Sequence, residues 1–232
     1  MAKYKNKVRG KKAKERGDEV ENAFFSVLTR HDRENELAFD KTFPEAKILP
    51  QKKMVNGRFV TEKALTYTGV GGPDWIITLG TPLTGLSYGV SAWIETKHVS
   101  DSPNTAQMSR VHQYKDLLRN AEMNGISGYL VLWRVNASGT GKRAAIDEWR
   151  YHPVYAGGHK SVELGMVMKG KNIGKEYVSL KRIHGIIVPN CTGNLFDLID
   201  ESYFDDVWQK VVPEPDLIPV LKMLYFNGVK DE

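Results

Sequence analysis

Apolar positions first recur at helical spacing in "DEVENAFFSVLTRH", where Val20, Ala23, Phe24, Val27 and Leu28 share one face and predict a helix from Asp18 to about His31. Acids in its first turn suit the positive end of the helix dipole. Glu21 lies at the edge of the apolar stripe, beside Leu28 on the helical wheel, a position from which it can point into a cleft beside the core. Residues 32–70 are mixed and fix no firm element, although "GRFVTEKALTYTG" can hold a strand or an extended arm. Mostly apolar, strand-like runs then appear in "DWIITL" and "VSAWIETKH", joined by the turn-rich "GTPLTGLSYG". They predict two strands, with Pro73 at the first strand position, where a missing N–H costs least.

The segment "SPNTAQMSRVHQYKDLLRNAEMNG" predicts a helix capped by Ser102, with Pro103 in its first turn and Gly125 ending it. Its apolar face is Val111, Tyr114, Leu117, Leu118 and Ala121. "GYLVLWRV", residues 128–135, is almost continuously apolar, as a central strand covered on both faces would be. The order helix, strand, strand, helix, strand implies an α/β core built on a mixed sheet. Beyond it, "VELGMVM" and "HGIIVP" are strand candidates and "NLFDLIDESYFDDVWQKVV" reads as an acidic helical end. There is no internal repeat.

Charge changes the picture. The net charge of the 232 residues is +5, but residues 1–17 hold eight Lys or Arg and one Glu, leaving −2 for the rest. Such a block is either a solvated, flexible arm or a phosphate-binding arm, and both can hold at once, since neutralising phosphates releases counterions. Its basic side chains Lys3, Lys5, Lys7, Arg9, Lys11, Lys12 and Arg16 are the DNA-binding candidates. Residues 194–232 carry nine acids and three bases, which argues against that surface meeting DNA. No apolar run is long enough to span a bilayer and no signal-peptide pattern is present, so no membrane role and a cytoplasmic location are expected. A single cysteine, Cys191, excludes an internal disulfide, and the histidines lack structural-zinc spacing.

Asp74, Glu95 and Lys97 interrupt the two apolar strands, and charges in such company need partners. Glu95 and Lys97 share a strand face. With Asp74 on a neighbouring strand, two carboxylates can share one hard cation, which polarises a phosphodiester oxygen and acidifies a bound water. Lys97 can then orient the nucleophile or offset developing charge. The bland alternative is a turn aspartate with an edge-strand glutamate and lysine, but that arrangement calls for polar neighbours, whereas Trp75, Ile76, Ile77, Trp93 and Ile94 surround these charges. No Ser/His/Asp or Cys/His arrangement supports acyl transfer. "GTGK" does not complete a phosphate loop, because Asn136 and Arg143 stand where the pattern needs Gly and Ser or Thr. His98 and His112 read as surface or hydrogen-bonding histidines rather than ligands.

Four segments, "RGDEVE", "GGPDW", "WIETKH" and "VHQYKDLLRNAEMNGISGYLVLW", together resemble the PD-(D/E)xK nuclease superfamily and, within it, RecU-type Holliday junction resolvases. The resemblance covers roughly residues 9–135. It implies a restriction-endonuclease-like core with a mixed central sheet flanked by helices. With the charge and pattern readings above, the expected division is a basic flexible arm over 1–17, a nuclease core over 18–139 and, outside the resemblance, C-terminal strands and an acidic helical extension over 140–232 packed on that core. The resemblance further implies Glu21, Asp74 and Glu95 as acidic active-site residues, Lys97 as the catalytic lysine and the Thr96 carbonyl as a metal ligand. Glu21, Asp74, Glu95 and Thr96 would hold Mg2+, with Mn2+ as a substitute, and Gln113 matches a helix glutamine. The expected substrate is branched DNA, a four-way junction, cut by a homodimer in a bacterial or virus-infected host cell. A restriction- or repair-type endonuclease of the same superfamily, or an inactive DNA-binding relative, stays open. The last would be marked by loss of Asp74, Glu95 or Lys97, and all three are present.

Overall fold

A computed structural model describes residues 2–42, 46–55, 58–67, 72–84, 89–136, 145–191 and 213–227. Helix α1 (Ala2–Arg33) leads into β1 (Leu37–Lys41), a hairpin of β2 (Ala46–Val55) and β3 (Arg58–Tyr67), and then β4 (Trp75–Leu79). A short α2 (Thr81–Thr84) precedes β5 (Val90–Val99), β6 (Thr105–Met108), α3 (Val111–Glu122) and β7 (Ile126–Val135). The chain continues through β8 (Ile146–Pro153), β9 (Val162–Met166), β10 (Glu176–Lys181), β11 (Ile186–Val188) and a last helix α4 (Ile218–Asn227).

Six strands form the central sheet in the order β1-β4-β5-β7-β8-β11. Within it only β5 and β7 run parallel, because α3 carries the chain between them as a crossover; every other pair is antiparallel. One face packs Val20, Phe24, Val27 and Leu28 of α1 and Leu221 of α4 against Ile77, Ile94, Leu130 and Leu132. The other packs Leu117 of α3 and Val178 and Leu180 of β10 against Tyr129, Val131 and Trp133. This is the mixed α/β sheet flanked by helices expected for a restriction-endonuclease-like core. β7 is buried on both faces, as its continuous apolar run requires. The region after residue 139 supplies β8 and β11 to the same sheet, so the central sheet is completed by the C-terminal part of the chain.

Two elements differ from the sequence reading. α1 begins at Ala2 rather than Asp18 and continues back over the basic segment, where the charge density argued for a flexible arm. Ala, Lys, Arg and Glu are strong helix formers, and a helix already anchored by Val20, Phe24 and Val27 propagates at little cost. The helix expected from Ser102 starts only at Val111, with Arg110 at its N-cap and no side-chain cap. The Ser102 hydroxyl instead accepts from the Thr105 amide at 3.3 Å, and Thr105–Met108 forms β6, paired with β10. The far end is close to expectation: α3 stops at Glu122, Asn124 takes φ 63°, and Gly125 lies against the Asn120 amide, where a Cβ would collide. Asn120 then donates to Ile126 O at 3.0 Å and Ser127 Oγ at 2.8 Å, stitching α3 to the start of β7.

"GTGK" and the acidic segment 194–212 lie outside the described residues, as do the side chains of residues 1–13 and of the β2–β3 hairpin. Cys191 is a free thiol. Among the described residues, no helix is long and apolar enough to cross a membrane.

Candidate active site

The site is built where β4 meets β5. Their antiparallel register pairs Trp75 with Ile94, which sets Asp74, just before the strand, beside Glu95. Trp75 is fixed from behind: Phe24 meets it edge-on at 5.9 Å, Phe39 packs at 6.0 Å, and the Lys41 ammonium sits 5.3 Å from its ring centre. The aromatic cluster thus holds the first residue of β4, and with it the neighbouring aspartate.

Asp74 and Glu95 are interlocked through the backbone. The Asp74 amide donates to Glu95 Oε2 at 3.1 Å, while the Asp74 carboxylate accepts from the Thr96 amide at 2.8 Å and the Thr96 hydroxyl at 2.7 Å. Lys97 reaches along its own strand face to donate to Glu95 Oε1. Glu95 is completely buried. Burial pushes its carboxyl up to about 7, against the pull of the Lys97 ammonium, and the neighbouring Asp74 charge adds to the rise. Two carboxylates repel each other here, one of them without solvent. Shared hard oxygen donors of this kind suit a small divalent cation, whose charge would offset that repulsion.

A cleft of about 1100 Å³ opens over these groups and is lined by Glu21, Asp74, Thr96, Lys97 and His98, with Lys14 and Arg16 on the α1 side and Gln107 and Arg110 on the β6 side. Arg16 bridges the two walls by donating to Ser100 Oγ at 2.5 Å. Glu21 reaches the cleft but is paired with Lys41 at 2.5 Å. Among the described residues, the one group of three His, Cys or acidic ligand atoms all within 4.8 Å of one another is His31, Glu34 and Glu36, none of which lines the cleft. Asp74 and Glu95 are therefore brought together, and Glu21 stands at the wall beside them. Gln113 is buried in the first turn of α3, its side-chain oxygen without a hydrogen-bond partner. The side chains of Lys3, Lys5, Lys7, Arg9, Lys11 and Lys12 lie outside the described residues.

No family model and no curated protein matches this chain. Among solved structures, Hjc of Archaeoglobus fulgidus, a Holliday junction resolvase from an archaeal hyperthermophile, aligns with a TM-score of 0.32 and 12% identity over 72% of this chain and 89% of that one. A likeness that distant carries no weight for activity, and the reading of the site rests on its own geometry.

The sequence marks neither Lys14 nor Arg110 as a cleft residue, and His98, expected as a surface or hydrogen-bonding histidine, lines the cleft as well. His98 is two residues beyond Thr96 and so shares its strand face, a signal present in the alternation. Its imidazole is held down to about 4 by partial burial and by the Arg16 and Arg134 cations, which keeps it neutral at pH 7. Lys14 belongs to the basic block and Arg110 to no local pattern, and both meet the cleft only through the packing of α1 and β6.

Proposed function

We propose that this protein is a divalent-metal-dependent DNA endonuclease that hydrolyses phosphodiester bonds, with four-way junctions as its preferred substrate. The observation that supports it is the interlocked pair Asp74 and Glu95: Asp74 and Lys97 line a cleft whose walls carry Lys14, Arg16 and Arg110, and Glu95 is buried against them. In this reading Asp74 and Glu95 hold Mg2+, with Mn2+ as a substitute, and Glu21 and the Thr96 carbonyl complete the ligand set. When bound, the cation polarises the scissile phosphate and lowers the pKa of an attacking water.

The chain's own groups do the rest. Thr96 orients Asp74 through two hydrogen bonds, so its carboxylate needs no reorganisation when the substrate arrives. Lys97, anchored on Glu95, offers a cation beside the scissile phosphate to orient the nucleophile or offset charge that builds in the transition state. Arg16 and Arg110 grip phosphates on either side of the cut, as positioning contacts that carry no sequence information. Junction selectivity and a homodimer follow from the resemblance of the four sequence segments to RecU-type resolvases. The test is incubation with magnesium and end-labelled junction, linear duplex and single strand of matched sequence. Cleavage of the junction that chelation abolishes is the expected result; absence of metal-dependent cleavage of any DNA would remove the nuclease reading.

A further inference from the structure

The small sheet β6-β10-β9 ends in a hairpin that outruns the core beneath it. At its base Val162, Val178 and Leu180 are buried against the α3 side of the molecule. Leu164 and Met166 share the strand face of Val162, yet both are exposed, and the connecting turn presents Met168 at 74% and Ile173 at 66% exposure. The turn is a built structure: Val167 N donates to Lys175 O at 2.9 Å and Gly174 N to Val167 O at 2.9 Å, with Gly170 and Gly174 in the left-handed region at φ 87° and 81°. Folding stability does not explain large apolar side chains held out in water, because burying each would be worth about 1.5–3 kcal/mol. An exposed apolar patch of this kind marks a binding surface.

Charge and position identify what it binds. Residues 167–175 contain Lys169, Lys171 and Lys175 and no acid. The acids that flank this segment are paired, Glu163 near the base with Lys181 and Glu176 beside the turn with Lys115. β10 also pairs with β6, with Val178 opposite Met108 and Lys181 opposite Thr105. The hairpin therefore projects past the Met108–Arg110 end of β6, which lines the cleft. At about 3.3 Å per residue its turn lies roughly 15 Å farther out.

We propose that the β9–β10 tip is a second DNA-contacting element, in which Lys169, Lys171 and Lys175 hold phosphates outside the cleft while Met168 and Ile173 wedge against bases at an interruption in the duplex. Apolar wedges of this type cost unstacking energy, which is least where stacking is already broken, as at a branch point. The proposal rests on the nuclease reading and adds the source of its preference for branched DNA.

The test is fluorescence anisotropy of the full chain with a labelled four-way junction and a linear duplex, in EDTA, across a salt series. Lys169→Ala/Lys171→Ala/Lys175→Ala is expected to reduce the logarithmic salt slope by about 2–3, at about 0.9 per phosphate no longer neutralised. Met168→Ser/Ile173→Ser is expected to weaken junction binding about tenfold and leave duplex affinity and slope unchanged. Protection of the three lysines from acetylation when junction is added to the parent chain gives the same readout without a substitution. If the parent binds and cuts DNA but neither variant nor protection differs from background, the hairpin proposal falls and the nuclease reading stands. If the parent neither binds nor cuts, both fall. Variants that dissociate a parental dimer while each protomer binds DNA as before would assign the tip to a second copy and overturn the proposal.

Discussion

The Asp74 amide donates to the carboxylate of Glu95 at 3.1 Å, and the strand carrying Glu95 reciprocates, since Thr96 donates twice to the carboxylate of Asp74. Each acid is thus positioned by the backbone of the other's strand. A pair held this way is preorganised, and its function can be removed by amide substitutions that keep its shape. Asp74→Asn or Glu95→Gln is expected to lower magnesium-dependent cleavage at least about a hundredfold, with the circular dichroism spectrum intact. Lys97→Ala is expected to lose cleavage to a similar extent while calorimetry at pH 8 still detects metal binding, because the lysine acts on nucleophile or phosphate rather than on the cation. Undiminished cleavage by the Asp74 or Glu95 variant would remove this site from consideration.

Glu95 also sets a pH signature. Its carboxyl stands at about 7 in the folded chain against an ordinary 4.5, displaced first by burial. Below pH 4.5 the group is protonated in both states and costs nothing. As pH rises from 4.5 to 7 the unfolded chain ionises first, so stability is lost through that window and the penalty levels off above it. Glu95→Gln cannot titrate. In EDTA the variant is expected to gain stability relative to the parent across pH 4.5–7, by up to about 3 kcal/mol, and to hold a constant advantage above. Urea melts along a pH series measure this, and parallel curves for the two proteins would contradict it.

Much of the core is legible in periodicity. The helical stripe of Val20, Phe24 and Val27 and the apolar runs of β4, β5 and β7 are each decided locally, while Asp74 comes beside Glu95 only through the pairing of β4 with β5. What is not legible depends on distant pairing. Thr105–Met108 is a strand because β10, some seventy residues on, supplies its hydrogen bonds, and β propensity alone is too weak to announce it. The pairing of Glu21 with Lys41 arises only when β1 docks beside α1. The start of α1 is hidden for another reason: repulsion among eight bases and intrinsic helix propensity point in opposite directions, and the anchored half of the helix decides.

The basic half of α1 has a separable role. Arg16 is tied to Ser100 across the cleft, so deleting residues 2–12 leaves that bridge in place and removes Lys3, Lys5, Lys7, Arg9, Lys11 and Lys12 without removing an acid. Weaker DNA binding is expected, with the logarithmic salt slope flattened by about 0.9 for each duplex phosphate that the shortened chain no longer neutralises. An unchanged slope would show these bases to be merely solvated.

A four-way junction is resolved by two symmetric cuts, whereas one set of Asp74, Glu95 and Lys97 supports one. A two-fold homodimer would supply two sites in matching geometry. The β2–β3 hairpin offers surface for it: among the described residues its ten-residue strands pair only with each other, and Ile48, Leu65, Met54 and Phe59 occupy register positions on one face of the ribbon. A two-stranded ribbon has little independent stability, which makes docking on a second copy or on DNA its natural end. Selectivity should then follow branch shape and phosphate placement, because the cleft presents Lys14, Arg16 and Arg110 and, among the described residues, no recognition helix for base edges. Light scattering is expected to give twice the 26.2 kDa chain mass. Competition at fixed salt is expected to favour junction over linear duplex by about tenfold or more, the equivalent of about 1.4 kcal/mol. A monomer that cuts linear duplex at a defined sequence as readily as a junction would overturn the resolvase reading and favour a restriction-type nuclease, while leaving the chemistry of Asp74, Glu95 and Lys97 untouched.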